Sequence, residues 1–190
     1  ADFCGVCSLD EGFVLGDYGW LDKRWMDEES LRMPLIVRWP GVTEAGAVDE
    51  HMVQNLDYAQ TFLEAAGVAA PEGMQGRSLV PLLQGTEPED WRSSIYYHYY
   101  AFPSIHRVAR HYGIRTERHK LIHYYQFGLW ELFDLQTDPD ERVNLFGQEG
   151  CDELTRGLQK GLQGLRLEFG DEGGTELQSK EWQEKFGVRR

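Results

Sequence analysis

The second half of the chain contains a close succession of short β-prone segments separated by turns. Four such segments are Ser94–Tyr100, Tyr112–Arg118, Lys120–Tyr125 and Trp130–Leu135. They are rich in aromatic and β-branched residues, and turn-forming residues such as those of Gln126–Gly128 divide them. Strands that follow one another at such short intervals pair most simply with their sequence neighbours, so the pattern predicts a small antiparallel meander.

An amphipathic helix is predicted after these strands, over Cys151–Phe169. Leucines recur at helical spacing along one side, at Leu154, Leu158, Leu162 and Leu165. Glycines at 157, 161 and 164 weaken the helix, so it must be stabilised by tertiary packing. We therefore predict that residues 91–170 form a subdomain of antiparallel sheet covered by one helix, with residues 171–190 as a polar tail.

The first ninety residues show a mixed α/β pattern. Leu35–Trp39 is predicted as a strand before the turn Pro40–Gly41, and Asn55–Ala66 is predicted as a helix. The glycine-rich segment Asp10–Lys23 is predicted as a loop. Cys4 and Cys7 form a C-x-x-C pair, which is compatible with redox chemistry or half a zinc site, or with thiols that only pack near a chain end.

The charge pattern restricts the classes of partner. The net charge of −13 argues against a nucleic-acid partner, and no apolar run of about 18 residues predicts a membrane span. A basic island nevertheless lies between residues 106 and 120, where Glu117 is the only acid. Its cationic and imidazole side chains are His106, Arg107, Arg110, His111, Arg115, Arg118, His119 and Lys120. The island could bind anions, or could be a solvated strand face.

Several segments together resemble the type I sulfatases. The run D-E-G-F-V-L-G-D-Y-G-W-L-D-K-R at residues 10–24 is similar to a family segment, and M-D-E-E-S-L-R-M-P-L-I-V-R-W-P-G follows at 26–41. Four further similar segments keep the family's order: N-L-D at 55–57, M-Q-G-R-S-L-V-P-L-L at 74–83, Y-G-I-R-T-E-R-H-K-L-I at 112–122 and W-E-L-F-D-L at 130–135, the last continuing to Leu145.

This resemblance implies an alkaline-phosphatase-like sulfatase fold, of which residues 1–90 would be the C-terminal part of the catalytic core. It also implies a formylglycine nucleophile and a divalent cation, usually Ca²⁺ with Mg²⁺ as the alternative. Asp10 occupies the family's metal-binding aspartate position, and Glu11 occupies the adjacent ligand position. Lys23 matches the lysine that binds the sulfate group, a role suited to a compact point charge.

The stretch from Tyr96 to Gly113 resembles the subgroup that acts on sulfated amino sugars, particularly 6-sulfated N-acetylglucosamine. By that resemblance His106 is the first candidate for substrate binding, with Arg110 and His111 second. Solvated histidines and arginines on a strand surface remain the alternative. The expected substrate is a sulfated carbohydrate or an aryl sulfate.

The sequence also departs from the family pattern. It contains no C/S-x-P-x-R motif, so this chain has no formylglycine precursor, and the N-terminal aspartate pair that completes the metal site is absent. Tyr18 stands where the family usually has histidine. We therefore expect the chain to be inactive alone and to need an N-terminal part carrying the formylglycine. Alternatives are a non-catalytic module that binds sulfated glycans and a phosphoesterase of the same superfamily. The family is usually periplasmic, secreted or lysosomal.

Overall fold

The computed structural model describes residues 4–8, 12–15, 21–102 and 108–171. The elements in chain order are β1 (Gly5–Ser8), β2 (Val14–Leu15), β3 (Leu21–Asp22), α1 (Glu28–Leu31), β4 (Leu35–Arg38), α2 (Asp57–Ala65), α3 (Val80–Leu83), β5 (Ser94–Tyr99), β6 (His111–Thr116), β7 (His119–Tyr124), β8 (Leu129–Asp134) and α4 (Asp152–Glu168). None of the helices in these ranges has the length and apolarity needed to cross a bilayer.

The described residues divide into two compact units. The first combines the residues before 9 with Met33–Ser93, and the second combines those between 12 and 32 with the described residues from Ser94 onward. The predicted divisions after residues 90 and 170 remain predictions. The sequence did not indicate that the segment before Arg32 packs with the C-terminal sheet.

The first unit is a two-stranded ribbon with two short helices. β1 pairs antiparallel with β4, and the ribbon packs against α2 and α3 through Val6, Val37 and Phe62. Asp57 is fully buried at the start of α2 and accepts hydrogen bonds from the backbone N–H groups of Gln54 and Arg77. Both terminal nitrogens of Arg92 also bond its carboxylate, at 2.5 and 2.7 Å. The N-L-D segment is therefore held by buried polar contacts.

The C-x-x-C pair lies at this ribbon and has the geometry of two separate thiols. Cys4 lines the side of the ribbon that faces α2, whereas Cys7 is exposed. Residues three apart along an extended strand point to opposite faces, which separates the two sulfur atoms. Both thiols are free, as is that of Cys151, and Cys4 is the one of the pair that packs against apolar neighbours.

The second unit contains the predicted antiparallel meander, with strand order β5-β6-β7-β8. Helix α4 covers one face of this sheet, where Leu158 and Leu162 pack on Ile114, Leu121 and other apolar residues. Close packing explains one of the helix glycines, because a Cβ at position 161 would lie 3.2 Å from a methyl group of the sheet. The subdomain of antiparallel sheet and packed helix is thus confirmed.

The opposite face of the sheet is covered by the segment that includes α1. Met26 is fully buried there against Ile122 and Phe133. Gly113 makes this contact fit, because a Cβ at that position would lie 2.5 Å from the Met26 sulfur. The predicted site residue His111 lies on this face of the sheet, and Lys23 lies at the start of the segment that covers it.

Candidate functional site

Three of the predicted site residues fall outside the part of the chain that the structure describes. These are Asp10 and Glu11, the predicted metal ligands, and His106, the first candidate for substrate binding. The convergence of Asp10 and Lys23 on one cavity therefore remains a prediction. Lys23, Arg110 and His111 are described and can be placed on the fold.

Lys23 is followed by a segment whose residues contact the sheet. We call Arg24–Glu28 the anchored segment. The phenol of Tyr97, on β5, donates a hydrogen bond of 2.8 Å to the carbonyl oxygen of Arg24. Arg24 has a φ of +91°, a left-handed conformation that non-glycine residues rarely adopt. Such a conformation persists only where surrounding contacts fix it, and these cases cluster at functional sites.

The next residue, Trp25, stacks its indole on the imidazole of His111 at a centroid distance of 6.0 Å and an interplanar angle of 16°. His111 is completely buried, with the rings of Tyr97, Tyr99 and Tyr124 between 5.2 and 5.9 Å from its own. Its Nδ1 lies 2.7 Å from the Ala109 carbonyl oxygen, so Nδ1 carries the proton and donates it.

Burial lowers the pKa of His111 to about 4, against a smaller opposing effect of its backbone hydrogen bond. The imidazole is therefore neutral at physiological pH, and Nε2 has no hydrogen-bond partner in the described residues. Trp25, itself buried, covers His111 on the side of the anchored segment. The structure thus brings Lys23 and His111 to the same face of the sheet, with His111 beneath the segment that carries Lys23.

A buried ion cluster fixes the far end of the anchored segment. The Nζ of Lys120, fully buried on β7, lies 2.9 Å from Glu28 Oε1 and 2.6 Å from Glu141 Oε1. Arg115 contacts the Glu28 carboxylate at 3.0 and 3.2 Å, and the Glu28 N–H donates to Glu141 at 2.7 Å. Burial opposes ionisation of Glu28, but the Arg115 hydrogen bond and the Lys120 charge together lower its pKa to about 2.

The same contacts account for much of the basic island. Arg115 and Lys120 are paired inside the unit, and Arg118 forms a bidentate pair with Asp134 at 2.7 and 2.9 Å. These three charges are neutralised by acids that lie outside the island. They do not form a free cationic surface, which weakens the interpretation of the island as a site for polyanions.

Arg110 acts on the other face of the sheet, although it adjoins His111. Its Nη2 donates to the Phe102 carbonyl oxygen at 2.6 Å. Burial lowers the pKa of His98 and raises that of Tyr125 to about 12, and the Arg110 charge adds to the first shift and opposes the second. His98 lies between Asp171, 2.5 Å from Nδ1, and the Tyr125 hydroxyl, 3.2 Å from Nε2. Sequence reasoning missed this polar cluster, whose partners come from separate elements.

No group of three or more histidine, cysteine or acidic side chains within the described ranges is arranged to hold a metal ion. Acids are present in the buried cluster, but Lys120 and Arg115 occupy the positions that a cation would take. The metal site predicted at Asp10 and Glu11 lies outside the described residues and remains a prediction.

Comparison with known proteins places this geometry in a family. The chain is 45% identical over 169 residues to the N-acetylglucosamine-6-O-sulfatase of Bacteroides thetaiotaomicron, covering 87% of this chain and 30% of that protein. Its structure is similar to that of BT4656 in complex with its substrate D-glucosamine-2-N,6-O-disulfate, with a TM-score of 0.86 and 43% identity over 91% of this chain and 36% of the other.

The phosphonate monoester hydrolase of Agrobacterium radiobacter is also similar, with a TM-score of 0.76 and 26% identity over 86% of this chain and 35% of that one. These neighbours confirm the predicted α/β, alkaline-phosphatase-like fold class. The chain spans about a third of the length of the relatives it matches. The family model for the C-terminal region of N-sulphoglucosamine sulphohydrolase matches residues 16–168, and the chain therefore belongs to the sulfatase family.

Proposed function

We propose that this chain is the C-terminal part of a sulfuric ester hydrolase that acts on 6-sulfated glucosamine units. The observation that carries the proposal is the 45% identity to an N-acetylglucosamine-6-O-sulfatase over most of the chain. The structural similarity to a protein solved with a 6-O-sulfated glucosamine supports the same substrate class.

In this proposal Lys23 binds the sulfate oxygens. Its ammonium group would offset negative charge on the sulfuryl group as the S–O bond breaks, which lowers the barrier when the charge is held in position. Asp10 and Glu11 would supply hard oxygen ligands to Ca²⁺, which polarises the same group when bound. Formylglycine and the remaining metal ligands would come from an N-terminal part, so this chain alone would give no turnover.

The test is hydrolysis of 4-nitrophenyl sulfate and of glucosamine 6-sulfate by the complete protein that carries this chain. Lys23→Ala should reduce kcat/KM by about a hundredfold or more, since it removes a charge that contacts the transition state. Lys160→Ala is the matched control, because Lys160 is exposed on α4. Unchanged activity of the Lys23 variant would reject its role, and robust turnover by residues 1–190 alone would show that the chain is complete.

A phosphoester or phosphonate ester hydrolase is the second candidate. The similarity to the phosphonate monoester hydrolase is the specific observation in its favour. Parallel assays with 4-nitrophenyl sulfate, 4-nitrophenyl phosphate and a phenylphosphonate monoester separate the two proposals. A larger kcat/KM for either phosphorus ester than for the sulfate would favour the second.

A further inference from the structure

We propose that Tyr97 is a positioning residue that fixes the direction of Lys23 through the Arg24 carbonyl. This inference rests on the proposed function, in which Lys23 binds the sulfate group. Tyr97 is not among the residues expected to touch substrate. It acts on the peptide unit that joins Arg24 to Trp25, one unit beyond the one that follows Lys23.

The backbone of Arg24 is the first step of the argument. Its φ of +91° is unfavourable for an arginine, because the Cβ then crowds the backbone. Surrounding contacts must hold it there, and the hydrogen bond from Tyr97 Oη to the Arg24 carbonyl oxygen is one of them. Loss of this bond weakens the restraint on the Arg24 backbone and favours relaxation towards negative φ.

The contacts of the residues after Arg24 determine which part of the chain would move if the φ of Arg24 changed. Trp25 is stacked on the buried His111, and Met26 is completely buried against the sheet. Glu28 is held by the ion cluster with Lys120 and Arg115. Since the chain after Arg24 is fixed, a change in its φ is taken up before Arg24, where Lys23 joins it to the β3 strand that pairs with β2. His111 supports this arrangement as the platform beneath Trp25.

Tyr99 provides a matched control for the hydroxyl of Tyr97. Both rings stack on His111 in nearly the same way, at 5.6 Å and 29° for Tyr97 and at 5.9 Å and 30° for Tyr99. Of these two tyrosines, it is Tyr97 whose hydroxyl donates the hydrogen bond to the Arg24 carbonyl oxygen. Tyr97→Phe and Tyr99→Phe therefore remove the same atom from similar rings, and the first also removes the contact with Arg24.

The kinetic experiment uses the complete protein that carries this chain, with glucosamine 6-sulfate as substrate. Tyr97→Phe should lower kcat/KM by about threefold to tenfold, the effect of one hydrogen bond, and Tyr99→Phe by less than about twofold. In a Lys23→Ala background, Tyr97→Phe should cause no further loss, because its effect passes through Lys23. An equal loss in both backgrounds would show a general structural role and overturn the inference.

A second measurement does not depend on activity. Reductive ¹³C-methylation labels the lysine amines of the complete protein, and Lys23→Arg identifies the Lys23 signal in the NMR spectrum. Tyr97→Phe should shift or broaden that signal, whereas Tyr99→Phe should leave it in place. An unchanged Lys23 signal in Tyr97→Phe would overturn the inference. If the wild-type protein fails to hydrolyse sulfate esters, the proposed function fails, and the NMR comparison still decides whether Tyr97 positions Lys23.

Discussion

Replacing Lys120 with methionine would remove the central charge of the buried ion cluster. Lys120 is fully buried, and its Nζ lies 2.9 Å from Glu28 and 2.6 Å from Glu141. Methionine has a similar length and an apolar stem, so the change in packed volume is small. The loss in the free energy of unfolding then measures the cost of leaving the carboxylates of Glu28 and Glu141 without Lys120.

These carboxylates differ in what they retain. Glu28 keeps Arg115 at 3.0 and 3.2 Å, whereas Glu141, with a side chain that is 1% exposed, keeps the Glu28 N–H. Most of the cost therefore falls on Glu141, as a buried charge that has lost its ion-pair partner. Removing one member of a buried ion pair lowers the free energy of unfolding by about 3–5 kcal/mol. Because the Glu28 N–H still bonds Glu141, we expect a loss of about 3 kcal/mol for Lys120→Met.

The assay is urea unfolding followed by circular dichroism at pH 8. Lys120→Met/Glu141→Gln should recover about 1–3 kcal/mol of the loss, because it neutralises the orphaned group. Lys160→Met, at an exposed position on α4, should change stability by less than about 0.5 kcal/mol. A loss under about 1 kcal/mol in Lys120→Met, or no recovery in the double variant, would refute this account of the cluster.

Two further changes test the same face of the sheet. Burial is the largest influence on Asp27 and raises its pKa to about 6, so the folded state holds this proton more tightly and stability falls as pH rises from about 4 to 6. Asp27→Asn should therefore be more stable than wild type by about 1–2 kcal/mol at pH 7.5 in urea unfolding, and an equal pH dependence in both proteins would contradict this. Gly113→Ala should lower Tm, because its Cβ would lie 2.5 Å from the Met26 sulfur and 2.4 Å from the Leu121 carbonyl oxygen. Gly157→Ala meets nothing within 4 Å in α4 and should raise Tm slightly, so equal shifts would exclude packing as the cause.

Local patterns predicted the C-terminal sheet and helix well. The strands β5 to β8 and helix α4 agree with the sequence prediction to within two residues at each end, because turns bound the aromatic and β-branched runs and leucine spacing marks the helix. Strand β1 was not predicted, since its sequence G-V-C-S has little β propensity and its pairing with β4 is non-local. Nor could local pattern reveal that the backbone N–H of Glu28 donates a hydrogen bond to the carboxylate of Glu141, 113 residues further along the chain.

The site was predictable in part, for a related reason. The positions of Lys23 and His111 came from motif resemblance, but spacing could not show that Trp25 joins them. The basic island looked like an anion surface, because a sequence shows cations but not their partners. Arg115, Arg118 and Lys120 find those partners at residues 28, 134 and 141, outside the island.

The buried cluster changes what the family resemblance can support. Three segments that carry the resemblance supply its members: Glu28 from M-D-E-E-S-L-R, Arg115 and Lys120 from Y-G-I-R-T-E-R-H-K, and Glu141 from the stretch after W-E-L-F-D-L. In this chain these side chains pair with one another inside the unit, so packing accounts for them without any contact with an ester. These segments therefore argue for the fold, and the choice between sulfate and phosphorus esters depends on the groups that meet the anion. Lys23 is the described candidate among those groups, and its direction is set from the same sheet face that holds the buried cluster.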